Sequence, residues 1–174
     1  EYFTVTGCSV ISSSNNGGSL RSYFMLLVFY TIMPPAHATD VFYNGWDRNN
    51  ISTLTSDGVS IHHPAGDIKK ISTYTSSLST GSWNGSGLPS HYEVRWASTA
   101  NGHGVTEGGS SGSPIFNAQG LIIGTLTGGG SFCTFTSGRD DYGKVSYHWN
   151  SNGNANNRRL DIHLDPAGNG SATS

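Results

Sequence analysis

Gly104-Val-Thr-Glu-Gly-Gly-Ser-Ser-Gly-Ser-Pro-Ile-Phe-Asn117 is the stretch on which the fold reading turns. Gly108, Gly109 and Gly112 would weaken a strand interior, so they mark a tight turn. Pro114 leads from that turn into Ile115-Phe116, an apolar strand start. Leu121 to Leu126, after Gln119-Gly120, completes a β-hairpin. A hydroxyl in such a turn can stand at a surface while backbone N–H groups converge near it. That geometry suits a nucleophile beside an oxyanion hole. An ordinary Ser/Gly turn has the same composition, and pattern alone leaves both readings open.

Outward from this hairpin, short strands recur. Val59 to His62, Ile68 to Tyr74 and Tyr92 to Trp96 alternate with period two. Val145 to Trp149 reads as a further strand. Phe24 to Tyr30 is a continuous apolar run and reads as a doubly buried strand, stopped by Pro34-Pro35. Val41-Phe42-Tyr43 before Asn44-Gly45 reads as a strand ending in a turn. Residues 1–20 are weakly patterned. In Asn156 to Asp165, Leu160 and Leu164 lie four apart before Pro166, which predicts a C-terminal helix of about two turns. Turn clusters throughout predict an all-β sandwich or barrel.

Composition agrees. The chain has 174 residues, 24 of them Gly, and only 11% charged residues. Its 26 Ser favour short strands and tight turns over helical bundles. A net charge of −2 without a basic block gives no footprint for nucleic acid or anionic lipid. Phe24 to Met33 is too short to span a bilayer. Two cysteines, Cys8 and Cys133, make no disulfide framework. Glu1 opens the chain without Met, so a leader has been removed or the chain is a piece of something longer.

Gly109-Ser-Ser-Gly-Ser-Pro114 resembles the nucleophile motif of chymotrypsin-fold serine proteases. The flanking segments narrow the resemblance to the lysyl endopeptidase group of secreted bacterial proteases. They are Gly45-Trp-Asp-Arg48, Ser60-Ile-His-His-Pro64 with Lys69-Lys-Ile-Ser72, Gly104-Val-Thr-Glu107, Ile123-Gly124 to Gly128-Gly129 with Cys133, Asp140-Asp-Tyr-Gly143, and Leu164-Asp-Pro166. The similarity covers roughly residues 20–170.

The resemblance implies a trypsin-like Greek-key β-barrel. Residues 1–36 would be a remnant of a first barrel and a linker. Residues 37–166 would be the second barrel with its C-terminal helix, and 167–174 a tail. Ser111 matches the nucleophile, and the N–H groups of Gly109 and Ser111 match the oxyanion hole. Asp140 matches the carboxylate of the lysine pocket; read without the resemblance, it is a solvated loop residue beside Arg139 and Asp141. Trp83 matches an aromatic against the catalytic imidazole, with core or surface packing as the alternative. Thr127, Gly128 and Gly129 match the edge that pairs with substrate backbone by strand addition. The implied activity is secreted, monomeric endopeptidase cleavage of protein or peptide substrates after lysine, with no nucleic-acid or membrane partner and no cofactor.

The match fails at the base. A serine nucleophile needs a His held by a carboxylate. The family's Ala-Ala-His-Cys-like segment has no counterpart here, and Tyr23 stands where its Asp is expected. The expectation is therefore a fragment lacking catalytic His and Asp, nearly inert alone, since losing the base costs on the order of 10⁶ in kcat. Cys8 matches no family cysteine, and Cys8 and Cys133 are expected to be unpaired. Three competing readings stand beside this one. Zinc at His62-His63 with His91 and His103 is disfavoured because adjacent strand residues face opposite ways. A carbohydrate- or peptide-binding β module would use Trp46, Trp83, Trp96 and Trp149 as stacking platforms. An inactive pseudo-protease would bind lysine peptides without cutting them.

Overall fold

A computed structural model describes residues 7–14, 23–30, 43–50 and 56–174. Pro34-Pro35, Val41-Phe42 and the expected boundary after residue 36 lie outside the described residues. The described chain is mostly β. In order it forms β1 (Cys8–Ser13), β2 (Met25–Phe29), β3 (Gly58–His62), β4 (Lys70–Tyr74), β5 (Ser79–Gly81), β6 (His91–Val94), β7 (Ser98–Thr99), β8 (Gly102–His103), β9 (Pro114–Asn117), β10 (Ile122–Gly129) and β11 (Asp140–Lys144). Two short helices follow, α1 (Val145–Asn150) and α2 (Asp161–Leu164).

Seven strands form one antiparallel sheet in the order β4-β3-β9-β10-β11-β6-β5. The expected β9–β10 hairpin is present, with Thr125 opposite Pro114. The sheet curls: just past β6, Ala97 N–H donates to Thr73 O on β4 at 2.8 Å. Tyr74, Val94, Trp96, Ile115, Leu126 and Tyr142 fill the core inside the curl, each at most 5% exposed. β3 and β4 keep period two but turn polar side chains inward. Ser60, His62 and Ser72 are buried while Ile71 is 63% exposed. These inward hydroxyls are satisfied: Ser60 Oγ donates to Pro114 O at 2.8 Å and accepts from Tyr142 Oη at 2.9 Å.

Four sequence expectations need correction. Val145 to Trp149 is a helix, because Val145, His148 and Trp149 at i, i+3 and i+4 together reach an apolar cluster with Phe24 and Leu160. The Asn156 to Asp165 helix is broken: a 3₁₀ turn at Asn156–Arg158 and the single turn of α2 are separated by extended backbone at Arg159. The Phe24 to Tyr30 run is a strand, but not doubly buried. Among the described residues β2 pairs only with β1, and Met25 and Tyr30 are 62% and 68% exposed. Residues 1–20 hold a strand after all, β1, whose Ser12 Oγ donates to Arg159 O at 2.7 Å. The last residues pair back on Gly45–Arg48, with Ser174 and Trp46 exchanging backbone hydrogen bonds.

Candidate active site

The Glu107–Ser113 segment makes the turn that the sequence predicts. Ser110 N–H donates to Glu107 O and Ser113 N–H to Ser110 O, both at 3.0 Å. Gly112 N–H donates to Leu126 O at 2.8 Å, which pins the turn to β10. Gly109 has φ +95°, a conformation that glycine adopts without steric cost. Its ideal Cβ would also lie 3.3 Å from His63 O. Ser111 is exposed at the tip. Among the described residues, no protein acceptor takes the N–H of Gly109 or Ser111.

Ser111 stands between two cavities. One, of about 500 Å³, is lined by Ser111, Thr106, Gly128, Gly129, Ser131 and Phe132. Asp140 lies behind its wall, 0% exposed. Its Oδ2 accepts from Ser131 Oγ at 2.5 Å, Trp96 Nε1 at 2.6 Å and Thr106 Oγ1 at 2.7 Å, and its Oδ1 from Ser131 N–H at 3.0 Å. Asp140 does not itself line the cavity of Ser111; its carboxylate lies behind the Thr106 and Ser131 hydroxyls, which do. A solvated loop aspartate is excluded, because Asp140 opens β11 opposite Gly129 and Val94. A Cβ at Gly129 would overlap its carboxylate. Asp141 faces the other way, 3.3 Å from Arg139 Nε. Burial raises its carboxyl to about 6 against the pull of Arg139.

The Thr127–Gly129 segment also falls beside the turn. β10 pairs with β9 only as far as Thr125. Gly128 and Gly129 carry a β11 partner on one side. Trp83 covers this segment: a Cβ on Gly128 would lie 2.7 Å from its ring. Trp83 stacks on His91 at 6.1 Å between centroids, so the imidazole it meets is His91. That ring is fully buried, with Nδ1 2.8 Å from Ser90 Oγ and Nε2 2.9 Å from Thr127 Oγ1. Burial, helped by Lys144, lowers its pKa to about 4. Thr127 therefore holds an interior histidine, and its side chain does not face the cavity of Ser111 and Thr106. It also meets Tyr23 N–H at 3.4 Å.

The second cavity, about 700 Å³, is walled by Phe24, Leu26, Trp46, Ile122 and Leu160 and again reaches Ser111. His148 on α1 lines it, with Nε2 buried and unpartnered among the described residues. Burial, with His91 nearby, drives this imidazole down to about 3 and holds it neutral. In the sequence no family motif surrounds His148; the i, i+3, i+4 spacing of Val145, His148 and Trp149 is the signal that places it on this wall. Among the described residues no imidazole is hydrogen-bonded to Ser111. Cys8 and Cys133 are both free and exposed.

The chain is similar to known proteins. A family model described as "Lysyl endopeptidase, C-terminal domain" matches residues 4–143. A curated relative, the lysyl endopeptidase of Pseudomonas aeruginosa, is 40% identical over 114 residues, which is 63% of this chain and 22% of that protein. The chain thus spans less than a quarter of that relative's length. A crystal structure of Rv3671c from M. tuberculosis H37Rv, a mutant in its inactive form, superposes with TM-score 0.45 and 16% identity over 79% of this chain and 58% of that one.

Proposed function

The chain belongs to the lysyl endopeptidase, C-terminal domain, family, and from that premise we propose that it carries the nucleophile and lysine pocket of a secreted serine endopeptidase cleaving after lysine. One observation carries the reading: the exposed Ser111 shares a cavity with Thr106 and Ser131, whose hydroxyls rest on the buried Asp140. A substrate lysine fills that cavity, its ammonium drawn by the carboxylate through the two hydroxyls. The polypeptide before the cleaved bond runs along Gly128 and Gly129 as an added strand. Ser111 Oγ attacks the carbonyl carbon as its proton passes to an imidazole supplied from outside the described residues. The oxyanion formed is held by the N–H groups of Gly109 and Ser111, a contribution of about 3–4 kcal/mol when one donor is lost. The amine leaves with the proton returned by that imidazole, and water, deprotonated by the same group, releases the acyl group and restores the Ser111 hydroxyl. No metal or organic group is required for these steps.

Among the described residues no imidazole is placed to take the proton of Ser111. His62 and His91 are committed to other hydroxyls, and His148 is held neutral without reaching Ser111. The resemblance assigns the base to a segment that this sequence does not match. Alone, the chain is therefore expected to hydrolyse esters of lysine on the order of 10⁶ more slowly than a complete triad would. The same observation favours a second reading, a pseudo-protease that binds lysine peptides and leaves them whole.

Calorimetric titration with peptides ending in lysine, arginine or norleucine tests the pocket. The lysine peptide binds at least about tenfold tighter than the norleucine peptide, a difference of about 1.4 kcal/mol, and Asp140→Asn removes the preference. Equal affinity for lysine and norleucine would overturn the proposal.

A further inference from the structure

His62 ends β3 with its ring buried behind the nucleophile turn, 3% exposed. Its Nδ1 lies 3.0 Å from Ser110 Oγ and its Nε2 3.0 Å from Ser72 Oγ. The hydroxyl of Ser72 has already spent its one proton: Ser72 Oγ donates to Val105 O at 2.8 Å. Ser72 can therefore only accept from the ring, so Nε2 carries the imidazole proton. Nδ1 is then bare, and Ser110 Oγ donates to it. The hydrogen bonds run one way, from Ser110 through His62 and Ser72 to the Val105 carbonyl.

Ser110 is the pivot of the turn. It is 1% exposed, so substrate does not reach it and it is no second nucleophile. Its backbone closes both halves of the turn, through Glu107 O and the Ser113 N–H. The loop after His62 grips the same turn, with Ala65 N–H donating to Gly108 O at 2.7 Å. Gly109 and Ser111 flank Ser110 directly.

We propose that His62, as its Nε2–H tautomer, is a positioning residue of the nucleophile turn, aiming the amides of Gly109 and Ser111 by holding the Ser110 hydroxyl. The functional meaning rests on reading Ser111 as nucleophile; the tautomer and its hold on the turn do not. Charged and titratable groups face the ring from several sides. Asp140 favours the protonated form and His63 opposes it, while Lys70 stands opposite in register on β4 and Glu107 lies in the turn. Burial outweighs them and keeps the imidazole below its ordinary pKa, as an acceptor at Nδ1 requires.

Two amide side chains split the two bonds. Asparagine can place an oxygen near the Nδ1 position and still accept from Ser110. Glutamine can place its nitrogen near the Nε2 position and donates only to Ser72. Nitrogen-15 NMR of the wild-type chain reads the tautomer. Amide spectra of His62→Asn, His62→Gln and Ser110→Ala read the turn. The expected results are a proton on Nε2, and the same displacement of the Gly109 and Ser111 amide resonances in His62→Gln and Ser110→Ala. In those two variants the Ser113 amide exchanges about tenfold faster, the loss of one buried hydrogen bond, while His62→Asn stays close to wild type. A proton on Nδ1 would overturn the proposal. So would equal spectra for His62→Asn and His62→Gln, which is what a space-filling role predicts. Ser110→Ala and the wild-type tautomer keep the test decisive if a His62 variant does not fold. A chain that shows this pattern but binds no lysine peptide refutes the proposed function and leaves this inference standing.

Discussion

Asp140 concentrates the electrostatics of the pocket in one side chain. Its carboxylate is buried and accepts four hydrogen bonds. Asp140→Ala strands three side-chain donors in the interior, each worth about 1–3 kcal/mol when left unpaired. The expected loss is about 3 kcal/mol or more, read from urea unfolding. Gly109→Ala is a separate test of the turn. Its φ of +95° and the nearby His63 carbonyl predict a loss of about 1 kcal/mol or more, with lower affinity for a lysine-terminated peptide. At this scale the sequence was legible where a local motif spoke. The glycine turn at Gly109 is readable from local composition, whereas roles for Ser111 and Asp140 come only from the resemblance. The contacts of His62 could not be read from either, because its partner Ser110 lies 48 residues away and nothing local marks the pairing.

The elements show where periodicity misleads. Val145, Tyr147 and Trp149 satisfy a strand period, while Val145, His148 and Trp149 satisfy a helical one. The helix wins because Val145 and Trp149 then meet Phe24 and Leu160 in one cluster, with Leu26, Trp46 and Ile122 around it. Arg48 adds a cation–π contact, 4.8 Å from the Trp149 ring. Trp149→Ala should therefore cost about 3–5 kcal/mol and loosen the β1–β2 hairpin, seen as faster amide exchange across Cys8–Ser13. Exchange unchanged in that hairpin would detach it from the cluster. In β3 and β4 the period was right, but apolarity alone names the wrong face. Ser60, His62 and Ser72 turn inward because Pro114, Ser110 and Val105 supply their hydrogen-bond partners. A polar inner face is what carries an imidazole to the nucleophile turn.

For the molecule as a whole, buried histidines set the response to acid. His91 and His148 lie at about 4 and about 3 when folded, against 6.5 otherwise, and His62 is shifted the same way. Their folded pKa values are lowered, so the unfolded chain binds more protons below pH 6.5. The stability they confer is present above 6.5 and lost as pH falls. Asp141 opposes this between 3.8 and about 6, where the folded state holds the extra proton. With two or three protons against one, the net slope is about 1.4 kcal/mol per pH unit or somewhat more. Urea midpoints should fall steadily from about pH 7 to about pH 5; midpoints that stay level or rise would contradict the burial of these rings.

The most direct measurement is a crystal structure of the chain with Nα-acetyl-lysine. The ammonium is expected in the cavity beside Ser131 and Thr106, in front of Asp140, and the carboxylate on the Gly109 and Ser111 amides next to Ser111 Oγ. A ligand seated elsewhere, or one whose ammonium points away from Asp140, would contradict the proposed pocket.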